Sequence, residues 1–296
     1  MVDKKETEGT ILMMPMKTVK FKRTAVTVGL MTLLWLLYTL TIPAPSHAAI
    51  FFDSDFELGI GDDWAANGWN DFGQANPGHL EISTDTAFTG THSVKGTWTD
   101  INGSSQQPSI HRGFTPVTRV FVRFAVRASP GFQIGSNGYT KMVRIRGSEG
   151  SPTTWLSIYY GNYIIGMEQP FDAGANIINT GVRFSTTSWD QIEFELKLNT
   201  PGQANGETRM WVNGVLRIDQ RNRQYIGPTP ESRGVYGILT PSTLRLSNAQ
   251  IFVQSGLGNI YYDRFAVGDT RIGPTQSKST SADSTPPASP QGLQAR

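Results

Sequence analysis

Two stretches of this chain alternate apolar and polar residues so regularly that each reads as an extended strand with one buried face. In residues 119–127, Val120, Val122, Phe124 and Val126 fall on one side, and Arg119, Phe121, Arg123, Ala125 and Arg127 on the other. In residues 189–198 the apolar side is Ile192, Phe194, Leu196 and Leu198, opposite Trp189, Gln191, Glu193, Glu195 and Lys197. One apolar and one polar face marks an antiparallel sheet covered on a single side. Between Ala49 and Gly273 no segment sustains a helical period, and runs of β-branched and aromatic residues alternate with Gly, Pro, Asn and Ser clusters. Asn213-Gly214, set between Met210-Trp211-Val212 and Val215-Leu216, predicts a tight hairpin. Further strands are predicted at 50–52, 79–83, 92–98, 139–146, 155–160 and 260–267. Many strands without helices predict an all-β antiparallel sandwich or barrel.

The two ends read differently. Residues 16–23 form a basic cluster that runs into the apolar stretch 24–42, after which Pro43 and Pro45 break any helix. Ser46 and Ala48 then supply small residues at a cleavage site. Residues 1–48 are therefore expected to be a signal peptide with Met16 as the true start, although the apolar stretch also approaches the length of a membrane anchor. Residues 274–296, rich in Ser, Thr and Pro, read as a linker-like tail. What remains, 49–273, is large enough for a single sandwich to bury a core without staples.

Charge and cysteine content narrow the function classes. The net charge of +2 comes from the leader: removing the six basic and three acidic residues of 1–48 leaves 20 basic against 21 acidic. No global attraction to nucleic acid is expected. The absence of cysteine excludes disulfides, thiolate catalysis and Cys-based zinc sites. An exported, cysteine-free chain is expected to be a monomeric bacterial protein, secreted, periplasmic or on the cell surface, touching membrane only through an uncleaved leader. No phosphate-binding loop, helix-borne zinc motif or nucleophile elbow occurs.

Several stretches together resemble the concanavalin A-like jelly rolls, in particular bacterial polysaccharide-lyase and laminin-G-like members. They include Phe52-Asp53-Ser54-Asp55-Phe56-Glu57, Gly90-Thr91-His92-Ser93-Val94-Lys95 and Lys141-Met142-Val143-Arg144-Ile145-Arg146. Trp189-Asp190-Gln191-Ile192-Glu193-Phe194, the segment from Leu198-Asn199-Thr200-Pro201-Gly202 to Trp211-Val212-Asn213-Gly214, and the closing Tyr261-Tyr262-Asp263-Arg264-Phe265 fit as well. The resemblance implies a two-sheet jelly-roll sandwich with a glycan as partner. It leaves the activity open, because this fold hosts lectins, hydrolases and lyases alike. The tail segment from Asp283 to Leu293 also resembles the opening of fibronectin type III modules of bacterial enzymes.

A lyase on this fold needs a cation or amide to neutralise a uronate carboxylate, a base for the C5 proton and an acid for the leaving oxygen. Arg119, Arg123, Arg127, Arg144 and Arg146 are candidate clamps and His111, Tyr159, Tyr160 and Tyr262 candidate proton carriers, with Arg144, His111, Tyr159 and Tyr262 taken as the catalytic set. Arg119, Phe121, Arg123, Arg127, Arg146, Trp189, Gln191 and Glu193 are candidate glycan contacts. Glu193 and Glu195 share a face, as hydrolytic carboxylate pairs do, but they depart from the glucanase pattern Glu-x-Asp-x-x-Glu. Asp53, Asp55, Glu57 and Asp263 could converge where the first and last strands pair, and hard oxygen ligands suit calcium; no other cofactor is expected. Three readings follow: a carbohydrate-binding protein first, then a polysaccharide lyase, then an adhesion or scaffold protein.

Overall fold

The computed structural model describes residues 49–71, 79–102, 108–136, 138–147, 156–161, 163–169, 176–227, 245–252 and 256–275. The side chains of 71, 100, 156–161, 168–169, 176–177 and 252 are outside that description. The expected leader, its start at Met16 and the tail from 276 onward lie outside the described residues. All described residues belong to one compact unit, Ala48–Arg296.

Among the described residues, sixteen strands form two antiparallel sheets. The nine-stranded sheet is built from β1 (Ile50–Ser54), β3 (His79–Ser83), β4 (Ser93–Asp100), β6 (Arg119–Ala128), β7 (Gln133–Ile134), β12 (Asp190–Lys197), β13 (Gly206–Val212), β14 (Val215–Arg223) and β16 (Gly256–Gly268). Its order is β14-β13-β12-β6-β16-β4-β3, with β1 and β7 also pairing β16. The seven-stranded sheet contains β2 (Asn70–Asp71), β5 (Ser109–Val117), β8 (Lys141–Gly147), β9 (Leu156–Gly161), β10 (Ile164–Gln169), β11 (Asn176–Arg183) and β15 (Leu246–Phe252). Its order is β11-β10-β9-β8-β15-β5-β2. The predicted strand runs all fall on observed strands, and the hairpin forms at Asn213-Gly214, both with positive φ, as a type I′ turn requires.

The core lies between the sheets. Val120, Val122, Phe124 and Val126 of β6 and Ile192, Phe194 and Leu196 of β12 are buried there, with Met142, Val143 and Ile145 of β8 and Ile251 of β15. Each such aliphatic residue contributes about 1.5–3 kcal/mol when removed from water. That burial fixes the register, because a slip of one residue would exchange the faces of a whole strand. β16 carries a bulge between Asp263 and Ala266, with Arg264 at φ 51°. The extra residue lets both Tyr262 and Phe265 point into the core. Phe265 there stacks on Phe52 at 6.0 Å and on Phe124 at 5.6 Å.

Candidate functional site

The alternation that turns one side of each sheet into the core turns the other outward, so the molecule has two outer faces, on which Phe121, Arg123, Glu193, Glu195 and Gln250 are nevertheless buried by their neighbours. The expected glycan contacts divide between them. Arg119, Phe121, Arg123, Arg127, Gln191 and Glu193 lie on the outer face of the nine-stranded sheet, and Arg144, Arg146 and His111 on that of the seven-stranded sheet. The opposition follows from register: Ile110, Ile251 and Val143 enter the core, which turns their neighbours His111, Gln250 and Arg144 outward.

The first of these faces is occupied by the protein itself. Arg119 Nε donates to Glu195 Oε1 at 2.8 Å, and the guanidinium lies 4.9 Å from the Phe121 ring centroid. Arg209 reaches Glu195 at 3.3 Å and Asp219 at 3.6 Å and also pairs with Glu207, which takes Lys197 Nζ at 2.7 Å. These cations hold the Glu207 carboxyl down at about 2. Arg123 faces Asp53 at 3.7 Å, and Arg127 donates to the Thr86 hydroxyl at 3.2 Å. Residues 271–275 then cross this face as a strap. The amides of Ile272 and Gly273 donate to the Glu193 carboxylate at 2.6 and 3.1 Å, and the Thr275 amide to Gln191 Oε1 at 2.7 Å. Arg271 covers Trp211 at 4.6 Å. The expectation that Arg119, Phe121, Arg123, Arg127, Gln191 and Glu193 line a glycan groove meets a face that the strap partly covers. Most of these polar groups already have partners within the protein, Arg123 Nε and Nη2 and Arg127 Nε being buried without a hydrogen bond among the described residues. Glu193 and Glu195 are likewise buried and engaged, not poised about a glycosidic bond. Trp189 packs edge-on against Phe88 at 6.0 Å.

Two further expectations change. Tyr262 is fully buried in the core, where burial pushes its hydroxyl well above the ordinary tyrosine range; it has no access to a substrate. Asp53, Asp55, Glu57 and Asp263 do not converge on a shared ion. The Arg264 guanidinium lies 3.7 Å from both Asp53 and Asp55, filling the place of a cation. Glu57 instead accepts from the Thr91 and His92 amides at 2.9 and 3.0 Å, and Asp263 from the Phe88 and Thr89 amides at 2.8 and 2.9 Å. Among the described residues no group of three or more His, Asp or Glu is arranged to hold a metal.

The seven-stranded sheet presents the opposite character. Three of its seven strands, β5, β8 and β15, contain His111, Arg112, Lys141, Arg144 and Arg146 and no acid, the nearest acid in register being Glu168 of β10, opposite Ser157 of β9. Register sets Asn70, His111, Gln250, Arg144 and Ser157 in one row across β2, β5, β15, β8 and β9. At the usual strand spacing, β5 and β8 stand about 10 Å apart with β15 between them. Gln250 is buried, and its Oε1 accepts from Arg144 Nε. That contact orients the amide, so what Gln250 can still offer is its N–H donors. Burial, with the neighbouring Arg146 guanidinium adding to it, pushes Arg144 down to about 10, so it stays charged at neutral pH. The row thus combines a desolvated cation and an amide donor with an imidazole on the far side. Gln250 was not among the expected residues; the weakly β-forming Leu246-Ser247-Asn248-Ala249-Gln250 gave no strand signal. Tyr159 lies on β9 with its backbone opposite Lys141 and Gly166, and its side chain is outside the described part. A separate cleft of about 400 Å³, lined by Pro116, Val117, Thr118, Arg119, Arg245 and Asp269, does not include the row.

No family model matches the chain, and no curated protein sequence does. Solved structures do. An endo-β-1,4-glucuronan lyase from the fungus Trichoderma reesei aligns with a TM-score of 0.54 at 17% identity, over 74% of this chain and 95% of its own. A cellulose-induced protein aligns at 0.53 and 16% identity, over 76% and 100%. The marine PL-14 alginate lyase from Aplysia kurodai aligns at 0.54 and 9% identity, over 77% and 100%. The all-β antiparallel jelly-roll sandwich is the fold this chain shares with these structures, two of which are polysaccharide lyases.

Proposed function

We propose that this protein is a polysaccharide lyase that cleaves a uronate-containing glycan by β-elimination on the outer face of the seven-stranded sheet. The observation that carries the reading is the row His111–Gln250–Arg144, built on three neighbouring strands, β5, β15 and β8, that hold cations and no acid. Arg144 and the Gln250 amide donate to the uronate carboxylate and stabilise the charge that moves onto it when the C5 proton leaves. His111 takes that proton, the C5–H electrons form the C4–C5 double bond, and the C4–O glycosidic bond breaks with its electrons on the departing oxygen. A proton from an acid or from water completes the new hydroxyl. The fold likeness to a glucuronan lyase and an alginate lyase supports the same reading. Export through the predicted leader would bring the protein to such a polymer.

A binding-only role, the first expectation from sequence, stands second. It is favoured by one observation: β2, β5, β8 and β15 contain no tyrosine, and Tyr262, an expected proton carrier, is in the core. Incubation with a panel of neutral and uronic-acid polysaccharides separates the two. Near-ultraviolet absorbance from unsaturated ends on an acidic polymer is the expected result. Retention of polymer without absorbance makes the protein a binding module and removes the lyase reading.

A further inference from the structure

The row at the candidate site has a neighbour. Two residues further along the same strands, Gly113 of β5, Asn248 of β15 and Arg146 of β8 stand opposite one another. Strand geometry places this second row about 6.8 Å from the first and on the same face. It repeats the first in part: an amide on β15 beside a guanidinium on β8. In place of the imidazole it has a glycine, so no base stands there. Among the described residues, a side chain added at Gly113 would meet only Ser247 O, at 3.9 Å.

The second row is also chemically unfinished. Asn248 Oδ1 is buried without a hydrogen-bond partner among the described residues. Arg146 is half-buried and has no carboxylate within salt-bridge distance among them. A buried acceptor left unmet is costly and calls for a donor, while a guanidinium beside another guanidinium calls for an anion. A sugar acid supplies both groups from one ring, a hydroxyl to Asn248 and a carboxylate to Arg146. A neutral sugar supplies only the first.

We propose that Asn248 and Arg146 form a second uronate subsite next to the His111–Gln250–Arg144 row, so that the protein prefers contiguous uronates over polymers in which uronate alternates with a neutral sugar. The inference rests on the seven-stranded face being the glycan-binding face, as the proposed function has it. Arg146 and Asn248 are specificity residues, not catalytic ones, since among the described residues no base stands beside them in their row.

The full chain is tested with two tetrasaccharides, one of contiguous uronates and one alternating uronate with neutral hexose, reading affinity and unsaturated ends together. The wild-type chain is expected to bind the contiguous ligand about tenfold more tightly. Arg146→Ala and Asn248→Ala are expected to remove that preference while kcat at saturation stays within about threefold. Arg146→Lys keeps part of the preference. Gly113→Thr adds a side chain to the row and raises KM for the contiguous ligand, with an unchanged melting temperature showing that the strand tolerates it. An unchanged preference in Arg146→Ala, or equal losses on both ligands, overturns the subsite. Loss of preference without unsaturated ends in any tube keeps the subsite and overturns the lyase reading. Turnover with unchanged preference does the reverse, and no binding to either ligand overturns both.

Discussion

The two outer faces of this sandwich are built by the same alternation and end with opposite electrostatics. On the nine-stranded sheet, Glu195, Glu207, Asp219 and Asp53 meet Arg119, Arg209, Lys197 and Arg123, and the 271–275 strap lies across Glu193. On the seven-stranded sheet, Arg144 and Arg146 stand beside one another among amides, with no acid on β5, β8 or β15. A cation surrounded by its own protein's carboxylates stabilises the fold modestly and has little left for a ligand. A desolvated cation beside another cation weakens the fold slightly and favours an anion from outside. The difference teaches that the number of arginines on a face says little about binding; what matters is whether acids from neighbouring strands neutralise them.

The largest effects are expected where the comparison is broken at the chemistry. His111→Ala should lower kcat on the preferred acidic polymer by about 10²–10⁴-fold, and Arg144→Ala or Gln250→Ala by about 10²–10³-fold, measured by the absorbance of unsaturated ends. Arg119→Ala and Arg127→Ala on the other face should leave that rate within about twofold. A comparable loss from either would mean that the faces have been assigned the wrong way round.

Next in size is a loss of stability without loss of chemistry. Glu193 is buried and accepts from two strap amides. Glu193→Ala should cost about 2–3 kcal/mol by leaving those amides and Arg271 without their acceptor, read as a lower denaturant midpoint. The rate per folded molecule should not change, which sharpens the division between a structural face and a working one.

The smallest effect is a pH dependence confined to the structural face. Glu207 is held at about 2 by Lys197 and Arg209. A carboxyl depressed on folding contributes stability that is present above its unfolded value and is lost as pH falls toward 2. Stability should therefore decline between about pH 5 and 2, and Glu207→Gln should flatten that decline by no more than about 1 kcal/mol. A melting-temperature profile of the two proteins checks it, and an unaltered slope would show that this ion pair contributes nothing measurable.

The nine-stranded sheet was far more legible in the sequence than the seven-stranded one, for physical reasons. β6 and β12 alternate cleanly because one side is buried and the other carries ion pairs, and the β13–β14 hairpin carries Asn-Gly. β5 and β15, which supply His111 and Gln250, show no such signal. Gly113 and Pro116 interrupt β5, and Ser247-Asn248-Ala249-Gln250 has low strand preference. The same small and polar residues that hide these strands give their outer face its hydrogen-bonding groups. Arg144 and His111 were named from residue chemistry alone, but nothing local showed that register would bring them to either side of Gln250. The arginines of β6 were plain in the sequence, while the acids that meet Arg119 and Arg123 come from β12 and β1, far along the chain.

The strap has a mechanical consequence. Because the Ile272, Gly273 and Thr275 amides are pinned to Glu193 and Gln191, the chain leaves the sandwich from the side opposite the candidate site. A pull on Thr275 would load three hydrogen bonds on the nine-stranded face before it strained any strand. Load applied there is borne by the nine-stranded sheet, away from the candidate site.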